Sequence, residues 1–96
     1  MKLLILSHAR DDLHDIRKHL SDYGTNPPRK FRESFEKFCV QVTDMPYMFG
    51  QCEYNLDYRT AVIEFGYLIF YKVDVPTNSI MVYRVLHGKR NIEPLI

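Results

Sequence analysis

The chain has 96 residues and a mass of 11.5 kDa, which suits a single domain spanning residues 1–96. Its 13 Lys and Arg residues nearly balance its 12 Asp and Glu residues, so net charge alone does not predict a nucleic-acid or membrane partner. No apolar run approaches the ~20 residues of a membrane span, and no secretory signal follows Met1, so we expect a cytoplasmic protein.

Apolar periodicity in the first half of the chain predicts a short strand and two amphipathic helices. The nearly continuous apolar run Lys2–Ser7 is typical of a strand covered on both faces, with Ser7 capping the helix that follows. Steps of four and three residues define the first helical stripe: Ala9, Leu13, Ile16, Leu20 and Tyr23. Asn26 as the cap and Pro27 in the first turn favour a second helix. Its stripe has the same steps: Phe31, Phe35, Phe38, Val42 and Met45.

The second half is rich in β-branched and aromatic residues and predicts three strands. These are Arg59–Glu64, Tyr67–Val73 and Ile80–Leu86, after a loop without periodicity at residues 47–58. The two-residue connection Phe65-Gly66 and a longer turn make them an antiparallel meander. The order β-α-α-β-β-β therefore predicts an α+β fold in which a helical hairpin packs on one face of a mainly antiparallel sheet.

Apolar side chains alternate onto both faces of the predicted sheet, although two helices can cover only one face. The middle strand of the meander places Tyr67, Ile69, Tyr71 and Val73 on one face, and Leu68 and Phe70 on the other. The last strand places Met81, Tyr83 and Val85 opposite Ile80, Val82 and Leu86. The second face either stays open as a partner site or is covered by the 47–58 loop and the C-terminal tail, and the pattern leaves both alternatives open.

Few residue patterns in the chain point to chemistry. The two cysteines have no metal-ligand spacing, and the histidines of the first helix are not arranged as a zinc site, so we predict free thiols and no metal or cofactor. A basic cluster does stand out at the end of the last strand, where Arg84, Lys89 and Arg90 occur in one short segment. Together with Arg59 on an adjacent strand, this cluster either binds phosphate or an acidic partner or is a solvated turn.

Three segments of the chain resemble the RelE/ParE toxin superfamily, specifically its ParE-like branch of plasmid stabilisation proteins. They are Tyr71–Asp74, the strand end with its basic segment Val82–Ile92, and the helix opening Ala9–Ile16. That branch commonly ends in a strand that reads arginine-valine-leucine-histidine-glycine, as at Arg84–Gly88, followed by basic residues and an isoleucine. The resemblance covers essentially the whole chain in the right order.

The resemblance implies the toxin of a type II toxin–antitoxin system, which is held inactive by a cognate antitoxin, ParD-like or similar. In such pairs the disordered C-terminal segment of the antitoxin typically folds around the toxin. That behaviour suits an open apolar sheet face. The candidate antitoxin-binding residues are therefore Leu68, Phe70, Tyr71 and Tyr83.

The superfamily contains ribonucleases, and the resemblance implies which residues would serve that reaction. RelE-like members cleave messenger RNA in the ribosome. The catalytic candidates for this reaction are Arg59, His87 and Arg90. However, Ala61, Leu68 and Ile96 stand where the ribonucleases carry a lysine, an arginine and a tyrosine. The loss of these groups leaves little to stabilise a phosphorane or activate a ribose hydroxyl.

The ParE-like branch instead poisons DNA gyrase by binding, which needs no catalytic group in the toxin. We therefore predict a toxin that inhibits gyrase and arrests growth. The candidate target contacts are Arg59, Arg84, Lys89 and Arg90. Ribosome-dependent cleavage of messenger RNA is the alternative, and a remnant without toxicity is a third class.

Overall fold

The computed structural model describes residues 1–96 and has the predicted α+β architecture. Its main elements are β1 (Lys2–Ile5), α1 (Ser7–Ser21), α2 (Asn26–Asp44), β2 (Arg59–Ile63), β3 (Tyr67–Asp74) and β4 (Ser79–His87). The strands form one sheet in the order β1-β4-β3-β2, with β1 parallel to β4 and the other neighbours antiparallel. The hairpin of α1 and α2 packs on one face of this sheet, as the sequence predicts. Neither helix combines the length and the apolar composition that a membrane span would need.

The predicted helices are present, but their ends differ in detail. Ser7 and Asn26 are helical residues, and no side chain caps either helix at its start. Asn26 instead accepts a hydrogen bond from the Arg29 side chain at 3.1 Å. Both apolar stripes are buried except for their last members, Tyr23 and Met45, which are 70% and 58% exposed because each helix ends before reaching them.

The main core lies between the two helices and the sheet, and its centre is aromatic. The ring of Phe38 lies 5.6 Å, centroid to centroid, from the rings of both Phe49 and Tyr71. Because Tyr71 is fully buried, its hydroxyl needs an internal acceptor, and it donates to the carbonyl of Pro46 at 2.9 Å. Burial also raises the pKa of Tyr71. This hydrogen bond ties the segment after α2 to the middle of β3.

β1 is an edge strand, which corrects the prediction that both of its faces are covered. Leu4 is 41% exposed because the helices cover only the opposite face of the strand. β1 pairs with Ser79–Val82 alone, so the second half of β4 has no strand neighbour on that side. Asp12 of α1 lies there instead and accepts the backbone N–H of Val85 at 2.9 Å.

The chain itself closes the centre of the second sheet face, so the open-face alternative is wrong there. A small cluster of buried residues fills this position: Cys52, Phe70, Leu86 and Ile92. Cys52 belongs to the 47–58 loop and Ile92 to the C-terminal tail, so the alternative interpretation, coverage by these two segments, is correct. The loop and the tail also meet directly, since the Asn55 side chain donates to the carbonyl of Ile96 at 3.4 Å. We refer to these four buried residues as the second-face cluster.

Two of the four candidate antitoxin contacts are consequently inaccessible in this conformation. Phe70 is 1% exposed in the second-face cluster, and Tyr71 is 0% exposed in the main core. Leu68 and Tyr83 are partly exposed and remain able to contact a partner.

A β-bulge between β3 and β4 changes the alternation of side chains that the sequence predicts for β4. The ladder register shifts between Phe70 and Tyr71, where Tyr83 of β4 is an extra residue without a partner. Val85 therefore joins Val82 in the main core, which corrects the predicted grouping of Val85 with Tyr83.

Candidate target-binding site at the end of β4

The predicted basic cluster lies where β4 ends beside α1. A depression of about 230 Å³ opens there, lined by Asp15 and His19 from α1 and by His87 and Arg90 from the end of β4 and the turn that follows. Lys89 lies between His87 and Arg90 in the chain and is exposed. Of these predicted residues, His87 and Arg90 thus line the depression, whereas Lys89 is exposed next to them in the chain.

The backbone of the turn after β4 has a defined hydrogen-bonding pattern. Nδ1 of His87 accepts the N–H of Lys89 at 3.1 Å, and the carbonyl of His87 accepts the N–H of Arg90 at 3.0 Å. The N–H of Gly88 donates to the carbonyl of Gly66, in the β2–β3 connection, at 2.9 Å. The turn is therefore closed on itself and attached to the neighbouring connection.

Lys89 and Arg90 are the available cations of this turn. Both side chains belong to exposed residues, and neither forms an ion pair with a carboxylate of the chain. An ammonium and a guanidinium in this state keep their capacity to bind carboxylate or phosphate oxygens, the guanidinium with two parallel hydrogen bonds.

Arg84, a predicted target contact, is used inside the fold. Its Nε and Nη2 atoms donate to the two carboxylate oxygens of Asp12 at 2.8 and 3.0 Å, and the Arg84 and Asp12 side chains are only 13% and 11% exposed. The hydrogen bond with Asp12 raises the pKa of Arg84. Because Asp12 also binds the N–H of Val85, the ion pair covers the part of the β4 edge that β1 does not reach. Arg84 is therefore not available to a target.

Arg59 lies in a different part of the sheet from His87. In the strand ladders, Arg59 pairs with Tyr71 and His87 pairs with Tyr67. Four residues along β3 separate these pairs by about 13 Å. The Arg59 guanidinium also donates to the carbonyl of Phe49 at 2.7 Å, which holds it against the 47–58 loop. The three candidates for ribonuclease chemistry do not share one site.

At the three positions where the ribonucleases carry functional groups, this chain has apolar residues, and these residues pack against other apolar side chains. Ala61 is 1% exposed in the main core. Leu68 and Ile96 pack against the second-face cluster. Because Ala61 faces the helices whereas Leu68 and Ile96 lie on the second face, these three positions do not form one surface.

One arrangement of aromatic and basic side chains was not predicted from the sequence. The ammonium of Lys72 lies 4.6 Å from the ring centroid of Tyr58 and 5.1 Å from that of Tyr83. The two rings meet edge to face with centroids 5.2 Å apart. Such cation–π contacts hold the lysine within the sheet surface. The only sequence signal was a lysine in an aromatic strand, because Tyr58 comes from the preceding loop.

The helical side of the molecule has an apolar groove between α1 and α2 with a volume of about 300 Å³. Leu13, Phe35 and Cys39 line it, together with Arg17 and Arg32. Burial is the main cause that raises the pKa of the Cys39 thiol to about 11, so this cysteine stays protonated at neutral pH. The groove is an accessible apolar surface whose charged rim also includes Glu36, the ion-pair partner of Arg32.

Comparison with known proteins identifies the family. A chain of the intact E. coli RelBE toxin–antitoxin complex shares the fold with a TM-score of 0.68 at 18% identity, covering 93% of this chain and 98% of that one. A chain of the chromosomal ParDE system from P. aeruginosa does so with a TM-score of 0.64 at 20% identity, covering 91% and 95%. No curated protein sequence matches the chain. The family model of the ParE toxin of type II toxin–antitoxin system, parDE, matches residues 3–92, and the chain therefore belongs to the ParE toxin family within the RelE/ParE superfamily.

Proposed function

We propose that this toxin inhibits DNA gyrase by binding it through the basic turn that carries Lys89 and Arg90. The observation that carries the proposal is the dispersal of the candidate catalytic groups, because Arg59 lies about 13 Å along the sheet from His87. Membership of the ParE family supports gyrase as the target. A binding inhibitor needs complementary contacts rather than proton transfer, so it does not depend on the groups that this chain lacks.

The chemistry of the turn suits an anionic surface on the target. The Arg90 guanidinium offers paired N–H donors to a carboxylate or phosphate, and the Lys89 ammonium adds a second charge beside it. Because no internal carboxylate pairs with either side chain, binding does not have to break an existing ion pair. Such contacts also speed association through electrostatic attraction.

Gyrase supercoiling of relaxed plasmid, measured with the purified full-length toxin, tests this proposal. We expect the wild-type chain to inhibit supercoiling and to cause broken plasmid to accumulate. The double variant Lys89→Ala/Arg90→Ala should raise the half-inhibitory concentration by about tenfold or more, because two charge-assisted contacts are lost. A matched double variant of exposed lysines on α2, Lys30→Ala/Lys37→Ala, removes the same charge elsewhere and should inhibit like the wild type.

Ribosome-dependent cleavage of messenger RNA, measured on the same preparations, decides between the two targets. Unaffected supercoiling together with codon-positioned cuts in messenger RNA would overturn the gyrase proposal. Equal inhibition by both double variants would show that the basic turn is not the contact surface.

We further propose that a cognate antitoxin of the ParD type neutralises the toxin. The RelBE and ParDE chains compared above come from toxin–antitoxin systems, and the apolar groove between α1 and α2 is an accessible surface that suits a folding antitoxin segment. Co-expression with the neighbouring antitoxin should yield a stable hetero-oligomer, whereas the toxin alone should be poorly soluble or self-associated. A well-behaved monomer that does not bind the antitoxin in size-exclusion chromatography would contradict this.

A further inference from the structure

We infer that His87 is a positioning residue, whose imidazole sets the directions in which Lys89 and Arg90 leave the turn after β4. The effect of His87 on target binding rests on the proposed function, because it assumes that Lys89 and Arg90 contact a target. The hydrogen bonds and ring contacts that support the inference belong to the toxin alone.

The hydrogen-bonding pattern of the turn depends on His87 twice. Its carbonyl accepts the N–H of Arg90 at 3.0 Å, and its side-chain Nδ1 accepts the N–H of Lys89 at 3.1 Å. A side chain that accepts the N–H two residues further on is the arrangement of an Asx turn, which Asn and Asp make with an oxygen atom. Here a ring nitrogen takes the place of that oxygen. Asparagine is therefore the residue best suited to replace His87 in this contact.

The imidazole ring is held in place by its contacts with β3 and the β2–β3 connection. It packs edge to face on Tyr67, with ring centroids 5.0 Å apart and an interplanar angle of 87°. Tyr67 is itself 8% exposed and belongs to the main core. Nε2 of His87 lies 3.7 Å from the position that a Cβ atom on Gly66 would take. The edge-to-face contact with Tyr67 limits rotation of the ring and keeps Nδ1 directed at the Lys89 amide.

At position 88 the backbone lies so close to the β2–β3 connection that a side chain there would be crowded. The N–H of Gly88 donates to the carbonyl of Gly66 at 2.9 Å, and a Cβ atom on Gly88 would lie only 3.2 Å from that oxygen. Gly66 has a φ of +77°, a region that favours glycine. The turn that His87 closes is thus docked on a connection whose own geometry is restricted.

A general-base role for His87, as in the ribonuclease alternative, makes a different prediction. A general base takes a proton from the substrate through a ring nitrogen with a free lone pair. In a neutral ring whose Nδ1 accepts the Lys89 amide, Nε2 carries the proton, so neither nitrogen has a free lone pair. Asparagine accepts a hydrogen bond but is not a base at neutral pH. Replacement of His87 by asparagine therefore separates positioning from proton transfer.

Two variants of the full-length toxin test the inference. His87→Phe keeps a ring against Tyr67 but has no acceptor, and His87→Asn keeps an acceptor but has no ring. Hydrogen exchange of the Lys89 amide should be about fivefold faster in His87→Phe, which corresponds to one typical hydrogen bond. It should stay close to the wild-type rate in His87→Asn. Exchange of amides in β3 and β4 reports whether each variant is folded.

Gyrase inhibition should follow the same order as amide protection. We expect the half-inhibitory concentration to rise about fivefold in His87→Phe and to be restored in His87→Asn. Arg90→Ala is a useful contrast, because it should weaken inhibition while the Lys89 amide stays protected.

Equal exchange of the Lys89 amide in wild type and both variants would overturn the inference. Loss of inhibition in His87→Asn with a protected Lys89 amide would also overturn it, in favour of a direct role for the imidazole. If the wild type does not inhibit gyrase, the proposed function fails, yet the exchange rates still decide whether His87 orders the turn.

Discussion

The main core between the helices and one face of the sheet contains fifteen buried residues, whereas the second-face cluster, between the other face and the loop and tail, contains four. On the helical face, long amphipathic helices satisfy their own backbone hydrogen bonds and add a continuous apolar stripe. On the second face, the loop is attached to β2 by a single antiparallel bridge between Gln51 and Arg59 and by apolar side chains. The tail is attached by apolar side chains, and a hydrogen bond from Asn55 to Ile96 joins it to the loop. We expect the helical face to determine global stability and the second face to open at lower cost. Both faces of the sheet are covered, but the interactions that attach the covering segments differ.

The largest effect should come from truncating an aromatic side chain in the main core. Phe38→Ala removes a 1% exposed ring between the rings of Phe49 and Tyr71 and should cost about 4 kcal/mol of unfolding free energy. Phe70→Ala, a matched truncation at an equally buried phenylalanine of the second-face cluster, should cost only about 3 kcal/mol, since the loop and tail can collapse into the space. Urea denaturation monitored by circular dichroism measures both values. A larger loss of unfolding free energy in Phe70→Ala than in Phe38→Ala would show that the second face contributes more to stability than the helical face.

The ion pair between Asp12 and Arg84 should contribute the next largest effect. Asp12→Ala leaves a guanidinium that is 13% exposed without a partner and removes the acceptor of the Val85 N–H, so we expect a loss of about 3 kcal/mol. Asp15→Ala, at an exposed position of the same helix, should change stability by less than about 0.5 kcal/mol. The same denaturation measurement checks both variants, and similar losses would mean that the ion pair does not anchor α1 to β4.

Opening of the second face can be measured by thiol labelling of Cys52, which is 3% exposed, in a Cys39→Ser background. Ile92→Ala weakens the tail cover by about 2 kcal/mol, so labelling should become about 30-fold faster. Leu56→Ala, at a 68% exposed position of the same loop, should leave the rate unchanged. If Cys52 reacted only as fast as the whole protein unfolds, the two faces would open together and the comparison would fail.

The smallest effect should come from the exposed ion pair on α2. The nearest charged atoms of Arg32 and Glu36 are 3.8 Å apart, and their side chains are 58% and 68% exposed. Arg32→Ala should therefore change the unfolding free energy by less than about 0.5 kcal/mol. A loss comparable to that of Asp12→Ala would show that exposure does not explain the difference between the two ion pairs.

Local sequence patterns predicted the elements because their causes are local. The steps of four and three place Leu13 and Phe38 on buried helix faces, and both are core residues. A tight turn joins β2 and β3 as predicted, but it has three residues, Glu64–Gly66, instead of two, because β2 ends at Ile63. Phe65 and Gly66 have positive φ there, at 64° and 77°. The helix caps at Ser7 and Asn26 were wrong because the competing start positions differ by only one residue.

Long-range pairing explains what the sequence did not predict about the candidate site. Lys89 and Arg90 were predicted together with Arg84, but Arg84 binds Asp12, a residue 72 positions earlier in the chain. The β-bulge at Tyr83 likewise depends on how β3 and β4 align, which alternation alone does not contain. The hydrogen bond between His87 and the Lys89 amide is local, yet it requires the ring orientation that packing on Tyr67 provides.

Periodicity along the chain determined the buried face of each helix and the order in which strands and helices follow one another along the chain. It also placed a glycine and two cations directly after the final strand. Tertiary structure decided which segment covers each apolar surface and which cationic side chain forms an ion pair with a carboxylate. Those outcomes depend on contacts between residues far apart in sequence. The hydrophobic effect is non-directional, so it favours burial of an apolar sheet face under any apolar segment that can reach it.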